Sequence, residues 1–222
     1  MNEVALKEIL SLIKNGNNLG EEIHLVGATK TIPYQTINNA IDCGLKIVAE
    51  NKVQEFREKN EFVKGASQHF IGHLQTNKVK YLIGKVDLIH SVDSLHLAEE
   101  ISRQALKKNI VQPILVEVNV GGELSKSGFD LLNTINAVKE ISKLPNIRID
   151  GLMAMLPKSD DSNLLKNLCL KMRSLYDTII KNGYELKYLS MGMSHDYKIA
   201  IQNGSNMIRL GSVIFGNRNY GG

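Results

Sequence analysis

Apolar positions along the chain alternate between two rhythms. Leu6, Leu10 and Ile13 recur at helical spacing within Val4 to Ile13. A compact apolar run at Ile23 to Lys30 predicts a strand. Tyr34 to Gly44 predicts a helix with Gly44 as its stop signal. Lys46 to Glu50 reads as a short buried strand, and the stretch from Asn51 to Val63 as a helix. Gln68 to Leu74 reads as a strand, and Thr76 opens a helix for which its own side chain is the candidate cap. Strands follow at Asp87 to Val92, Gln112 to Val120, Ile147 to Leu156, Leu186 to Met193 and Asn206 to Gly216. Helices separate them at Ser94 to Lys108, Asp130 to Leu144, Asn163 to Asn182 and Tyr197 to Gln202.

Strict strand–helix alternation predicts parallel strands joined by helical crossovers. Eight such strands favour a closed (β/α)8 barrel, the TIM barrel, over an open sheet. The open, Rossmann-like alternative calls for a glycine fingerprint after the first strand, and "VGATKT" is not GxGxxG. No helix is expected after the eighth strand, so the N-terminal helix would fill that place in the outer ring. The absence of a linker or low-complexity tract predicts one domain over residues 1–222.

Composition adds exclusions. Hydrophobic residues at 43% and charged residues at 23% suit a packed α/β protein. The net charge of +4 is scattered, with no basic tract that would point to nucleic acid. Cys43 and Cys169 lie far apart and lack CxxC partners, which suits a reducing compartment. Neither a signal peptide nor a membrane span is expected, so the reading is cytoplasmic.

Barrels of this type carry their chemistry at the C-terminal ends of the strands. Lys30 ends the first strand, behind Gly27 and Ala28, which leave room for a flat group beside it. A partly desolvated amine favours its neutral form, which attacks carbonyls to form a Schiff base; the bland alternative is a surface lysine. Asn51 ends the second strand. The loops after strands seven and eight are the usual phosphate site, and they offer Gly192, Ser194, Gly211 and Ser212. Ser194 also competes with Asp196 as a helix cap. Arg209 interrupts an apolar strand, on the same face as Gly211. Its partner would be a protein carboxylate, or a ring nitrogen or acid group of a ligand.

Other signals are weak. His69 and His73 would stand roughly 13 Å apart on a strand, too far to share a metal, and no HExxH occurs, so no metal site is expected. Ser194, His195 and Asp196 are consecutive, which is not triad geometry. Met191 and Met193 suit packing, and "GGELSKSG" suits a flexible loop.

Together, "GATKTIP", "AENKVQE", "HFIGHLQTNK", "SVDS", "VEVNVGGELSKSG", "GLMAMLP", "LSMGMSHDYKIAIQNGSNMIRLGSVIFG" and the final "RNY" resemble the pyridoxal phosphate homeostasis proteins, the YggS/PROSC group. The resemblance runs nearly the whole chain. It implies the barrel half of the alanine-racemase kind of pyridoxal enzyme (fold type III), without that fold's C-terminal β domain. By this resemblance Lys30 matches the lysine that carries pyridoxal 5′-phosphate as an internal aldimine. Ser194 matches the phosphate-binding serine, and the Gly211–Ser212 backbone the second phosphate clamp. Arg209 matches the arginine facing the pyridine nitrogen, and Asn51 the asparagine near the cofactor. Lys52 and Asn206 depart from the family's usual tyrosine and threonine, which puts their local contacts in doubt. Ser212 replaces a common threonine but keeps the hydroxyl.

The function so implied is to hold pyridoxal phosphate, limit its free aldehyde and deliver it to apoenzymes, as a monomer and without a committed reaction. The alternatives are an amino-acid racemase on the same cofactor, or a cofactor-free class I aldolase using Lys30. A racemase needs proton donors or acceptors on both faces of the substrate carbanion, and few residues follow the eighth strand to supply them.

Overall fold

The computed structural model describes residues 1–123 and 126–216. Eight strands form one closed barrel in sequence order: β1 His24–Ala28, β2 Ile47–Glu50, β3 Ser67–Phe70, β4 Leu88–Val92, β5 Gln112–Val118, β6 Ile147–Ala154, β7 Tyr188–Ser190 and β8 Met207–Leu210. All neighbouring pairs are parallel, and β8 closes on β1 with Val26 opposite Arg209. The helices are α1 Glu3–Ile13, α2 Tyr34–Asp42, α3 Val53–Lys59, α4 Leu95–Lys107, α5 Thr134–Ile141, α6 Ser162–Lys181, α7 Tyr197–Gln202 and α8 Ser212–Phe215.

The period of two along each strand divides the core into two layers. Val26, Ala49, Leu88, Leu115, Met153 and Met207 fill the barrel interior. The opposite faces of the strands pack outward against the helices, as Ile89, Ile114 and Leu152 do. α1 takes the ring position beside the last strand, as expected. Leu6 and Ile9 pack with Ile208, Ile214 and Phe215, and the Asn2 N–H donates to the Ile214 carbonyl at 2.7 Å. Burying each such side chain contributes ~1.5–3 kcal/mol.

Several boundaries differ from the sequence expectation. The apolar stretches at Gln68–Leu74, Leu186–Met193 and Asn206–Gly216 contain shorter strands, followed by a loop in the first two and by a helical turn in the third. Residues at the barrel mouth are buried whether or not they are paired, so apolarity overstates strand length there. A helix does follow the eighth strand, contrary to expectation. It is the single turn α8, capped by Gly216 at φ 87°. The segment from Thr76 is a 3-10 helix, Thr76–Tyr81. Gln75 occupies its cap position without a side-chain bond, so Thr76 is not the cap. The expected stop at Gly44 holds: it takes φ 107°, a conformation that favours glycine. The "RNY" motif and two positions of "GGELSKSG" lie outside the described residues.

Candidate functional site

At the C-terminal face of the barrel the strand ends surround a cleft of about 720 Å³. Lys30, Asn51, Ser194, Arg209, Gly211 and Ser212 all line it. They come from four loops or strand ends, and the parallel barrel brings these to one face.

Lys30 is half-buried and stands two residues beyond the end of β1, in the turn that follows the strand rather than at its last position. Only one of the two small residues before it borders the cleft: Ala28 lines the wall, whereas Gly27 faces outward. A Cβ on Gly27 would meet Leu45 Cδ2 at 2.6 Å, so that glycine serves packing between β1 and the segment leading into β2.

Ser194 and Ser212 meet across the cleft, where the Ser212 hydroxyl donates to Ser194 Oγ at 3.1 Å. Ser194 is not the cap of α7. Asp196 holds that position, and its carboxylate accepts the Met193 N–H at 2.6 Å. Gly192 shapes the loop between β7 and α7. It takes φ 100°, and a Cβ there would lie 2.8 Å from the Ala200 Cβ.

Arg209 is 5% exposed, with its guanidinium inside the barrel. Nη1 donates to the Ser190 carbonyl at 3.0 Å and to Ser190 Oγ at 2.7 Å, and Nη2 to the Ala154 carbonyl at 3.0 Å. Its direct partners are therefore neutral oxygens, not the protein carboxylate allowed for by the sequence. These bonds use three of five N–H donors. Burial pushes the guanidinium down to about 10, while Glu117 and Asp196 act in the opposite direction. Arg209 is thus a buried cation whose nearest acceptors carry no charge.

Asn51 is held against the loop that follows β3 by a close backbone approach. A Cβ on Gly72 would sit 1.9 Å from the Asn51 carbonyl oxygen, which only glycine tolerates. The Asn51 Oδ1 is buried at the cleft wall with no hydrogen-bond partner among the described residues.

The family profile described as "Alanine racemase, N-terminal domain" matches residues 28–219. The chain belongs to this family. A "Pyridoxal phosphate homeostasis protein" of Aquifex aeolicus is 46% identical over 199 residues, covering 88% of this chain and 87% of the relative. The structure of PipY of Synechococcus elongatus PCC7942 with PLP bound superposes with a TM-score of 0.83 at 27% identity, covering 96% of this chain and all of PipY. An alanine racemase of Clostridium difficile shares the fold (TM-score 0.77, 17% identity), and the match spans 98% of this chain and 58% of the racemase.

Within this alanine racemase N-terminal domain fold, the cleft has lining groups that the sequence reading missed. Met155, Leu156, Pro157 and Lys158 form the wall after β6. Lys158 follows a strand closely, and the logic that selected Lys30 would have selected it too. The departures from the family pattern resolve as follows. Asn206 is structural: its side chain accepts the Leu189 N–H at 2.7 Å and donates to the Lys187 carbonyl at 2.8 Å, joining β8 to β7. Lys52 is exposed at the start of α3 and does not line the cleft. His69 is not beside His73 but inside the barrel, with Nδ1 3.0 Å from His90 Nε2. His73 instead faces Asp93 at 3.2 Å. His195 turns toward the Ser159 carbonyl at 3.0 Å, so Ser194, His195 and Asp196 form no relay.

Proposed function

We propose that this chain binds pyridoxal 5′-phosphate in the cleft, held through Lys30 as a Schiff base, and serves in homeostasis of that cofactor. The observation that carries the reading is the convergence on one cavity of three chemically distinct groups: the Lys30 amine, the Ser194–Ser212 hydroxyl pair and the buried Arg209 guanidinium. The names of the Aquifex relative and of the loaded PipY structure support it.

The residues fit the ligand. When bound, the cofactor supplies an aldehyde and an electron-withdrawing ring. Lys30 would take the aldehyde. Ser194 and Ser212, with the backbone at Gly211, would donate to the phosphate. Arg209 has only donors to offer, so it would hydrogen-bond an unprotonated ring nitrogen. The orphaned Asn51 Oδ1 would accept from a donor on the ligand. An unprotonated ring is a weak electron sink, which restrains carbanion chemistry. That supports storage and delivery over a committed reaction.

In this reading residues 1–222 act as one cofactor-binding unit, a cytoplasmic monomer that passes pyridoxal phosphate to apoenzymes. The test is to compare free and protein-bound pyridoxal phosphate in cells with and without the gene. Loss of the protein should raise the free pool. An unchanged pool, with a purified protein that takes up no pyridoxal phosphate, would overturn the proposal.

A further inference from the structure

Lys30 occupies a tight turn, closed by the Ile32 N–H on the Thr29 carbonyl at 3.0 Å. The next corner, Thr31, takes φ 65°, in the left-handed region that a β-branched residue disfavours. Left to itself, such a turn would relax and carry the lysine with it. The structure opposes that relaxation from α3. The peptide group before Lys30 is held through the Thr29 carbonyl, which accepts from Lys59 Nζ at 3.2 Å. The peptide group after it is held through the Thr31 N–H, which donates to Glu55 Oε2 at 2.6 Å.

One ammonium joins the two anchors. Lys59 Nζ lies 3.0 Å from Glu55 Oε2 and 2.9 Å from Glu50 Oε1, so its three N–H donors meet three acceptors. Glu50 in turn accepts from the Thr29 hydroxyl at 2.7 Å. The Lys59 and Glu50 side chains are 14% and 7% exposed, so water competes weakly for these bonds. Lys59 does not line the cleft.

We infer that Lys59 is a positioning residue for Lys30: directly at the Thr29 carbonyl, and through Glu55 at the Thr31 N–H, it locks both peptide groups flanking Lys30 and so sets the direction from which the amine enters the cleft. The inference rests on the proposed function. In the bond at stake, the Lys30 nitrogen joins the aldehyde carbon and the carbonyl oxygen leaves as water, with no oxidant or reductant. That bond is sensitive to the approach of the nitrogen. Contacts to phosphate and ring come from other loops.

The test compares two ligands. Pyridoxal 5′-phosphate can form the bond; pyridoxine 5′-phosphate carries an alcohol there and cannot. Lys59→Met should weaken pyridoxal phosphate at least about tenfold while leaving pyridoxine phosphate within about twofold. Glu55→Ala, which frees the Thr31 peptide, should act in the same direction and gives the answer if Lys59→Met fails to fold. Equal weakening of both ligands would reduce the cluster to a general structural role and overturn the inference. So would unchanged affinity for both. A wild-type protein that binds the two ligands equally would overturn the Schiff-base reading and this inference together. A wild-type preference for the aldehyde that survives in both variants would overturn this inference alone.

Discussion

Ser194 and Ser212 lie 18 residues apart in sequence, yet their hydroxyl oxygens are 3.1 Å from each other at the rim of the cleft. Two hydroxyls at this spacing can donate to oxygens of one phosphate while each retains an acceptor for its neighbours.

Ser194→Ala should therefore weaken retention of pyridoxal phosphate without preventing its covalent capture. A hydrogen bond to a charged group is worth roughly 1.5–3 kcal/mol, or about ten- to a hundredfold in affinity. Equilibrium dialysis of wild type and variant measures the ratio. An unchanged dissociation constant would remove Ser194 from the proposed phosphate site.

Lys30→Ala should abolish the adduct that borohydride fixes. The fold should survive, because the barrel core lies below the turn. A change of ~1 kcal/mol moves the midpoint of a domain this size by about 2–4 °C, and the shift should not exceed that. Mass spectrometry locates the reduced adduct. Finding it mainly on Lys158, the other lysine lining the cleft, would reassign the site.

Arg209 should keep the ring nitrogen unprotonated at neutral pH. Arg209→Glu replaces a donor by an anion, which favours the protonated ring. Nitrogen-15 NMR of labelled ligand reads this directly, in variant protein shown to be folded. The variant also strips the Ser190 and Ala154 carbonyls of their donors, so a lower unfolding temperature is expected. A ring nitrogen already protonated in the wild type would overturn the assigned role.

Glu117 should make stability fall as pH rises. Burial is the main cause that raises its carboxyl to about 7, with Asp93 adding and Arg209 and His73 opposing. An acid with a raised folded pKa binds its proton more tightly when folded. The folded state therefore loses stability from about pH 4.5 up through about 7, by an amount on the order of 3 kcal/mol. Burial lowers His69 to about 4, which gives the opposite slope from about pH 6.5 down to 4. Glu117→Gln isolates the first effect. It should match wild type near pH 5 and exceed it near pH 8 in thermal unfolding. Parallel curves across that range would show that the buried carboxyl carries no such proton.

The sequence by itself determined the barrel and the candidate residues. The alternation of apolar periods makes every strand parallel to the next, and eight strands close the sheet. Position at a strand end then puts Lys30, Asn51, Ser194 and Ser212 on the C-terminal face, because parallel strands all point their ends one way. The period of two likewise put Arg209 on the same face as Gly211, and both line the cleft.

Only the tertiary structure decided what those residues touch. Apolarity cannot separate a strand from a buried mouth loop, so β3, β7 and β8 are shorter than their apolar runs and the turn of α8 was hidden in the last of them. Nothing in "GATK" says that Gly27 faces Leu45 while Ala28 faces the cleft. The neutral acceptors of Arg209 come from β6 and β7, 55 and 19 residues away. The hold of Lys59 on the turn at Lys30 spans 30 residues. Such contacts depend on strand register and on how each helix lies against the sheet. Those follow from the packing of the whole barrel, and no local pattern encodes them.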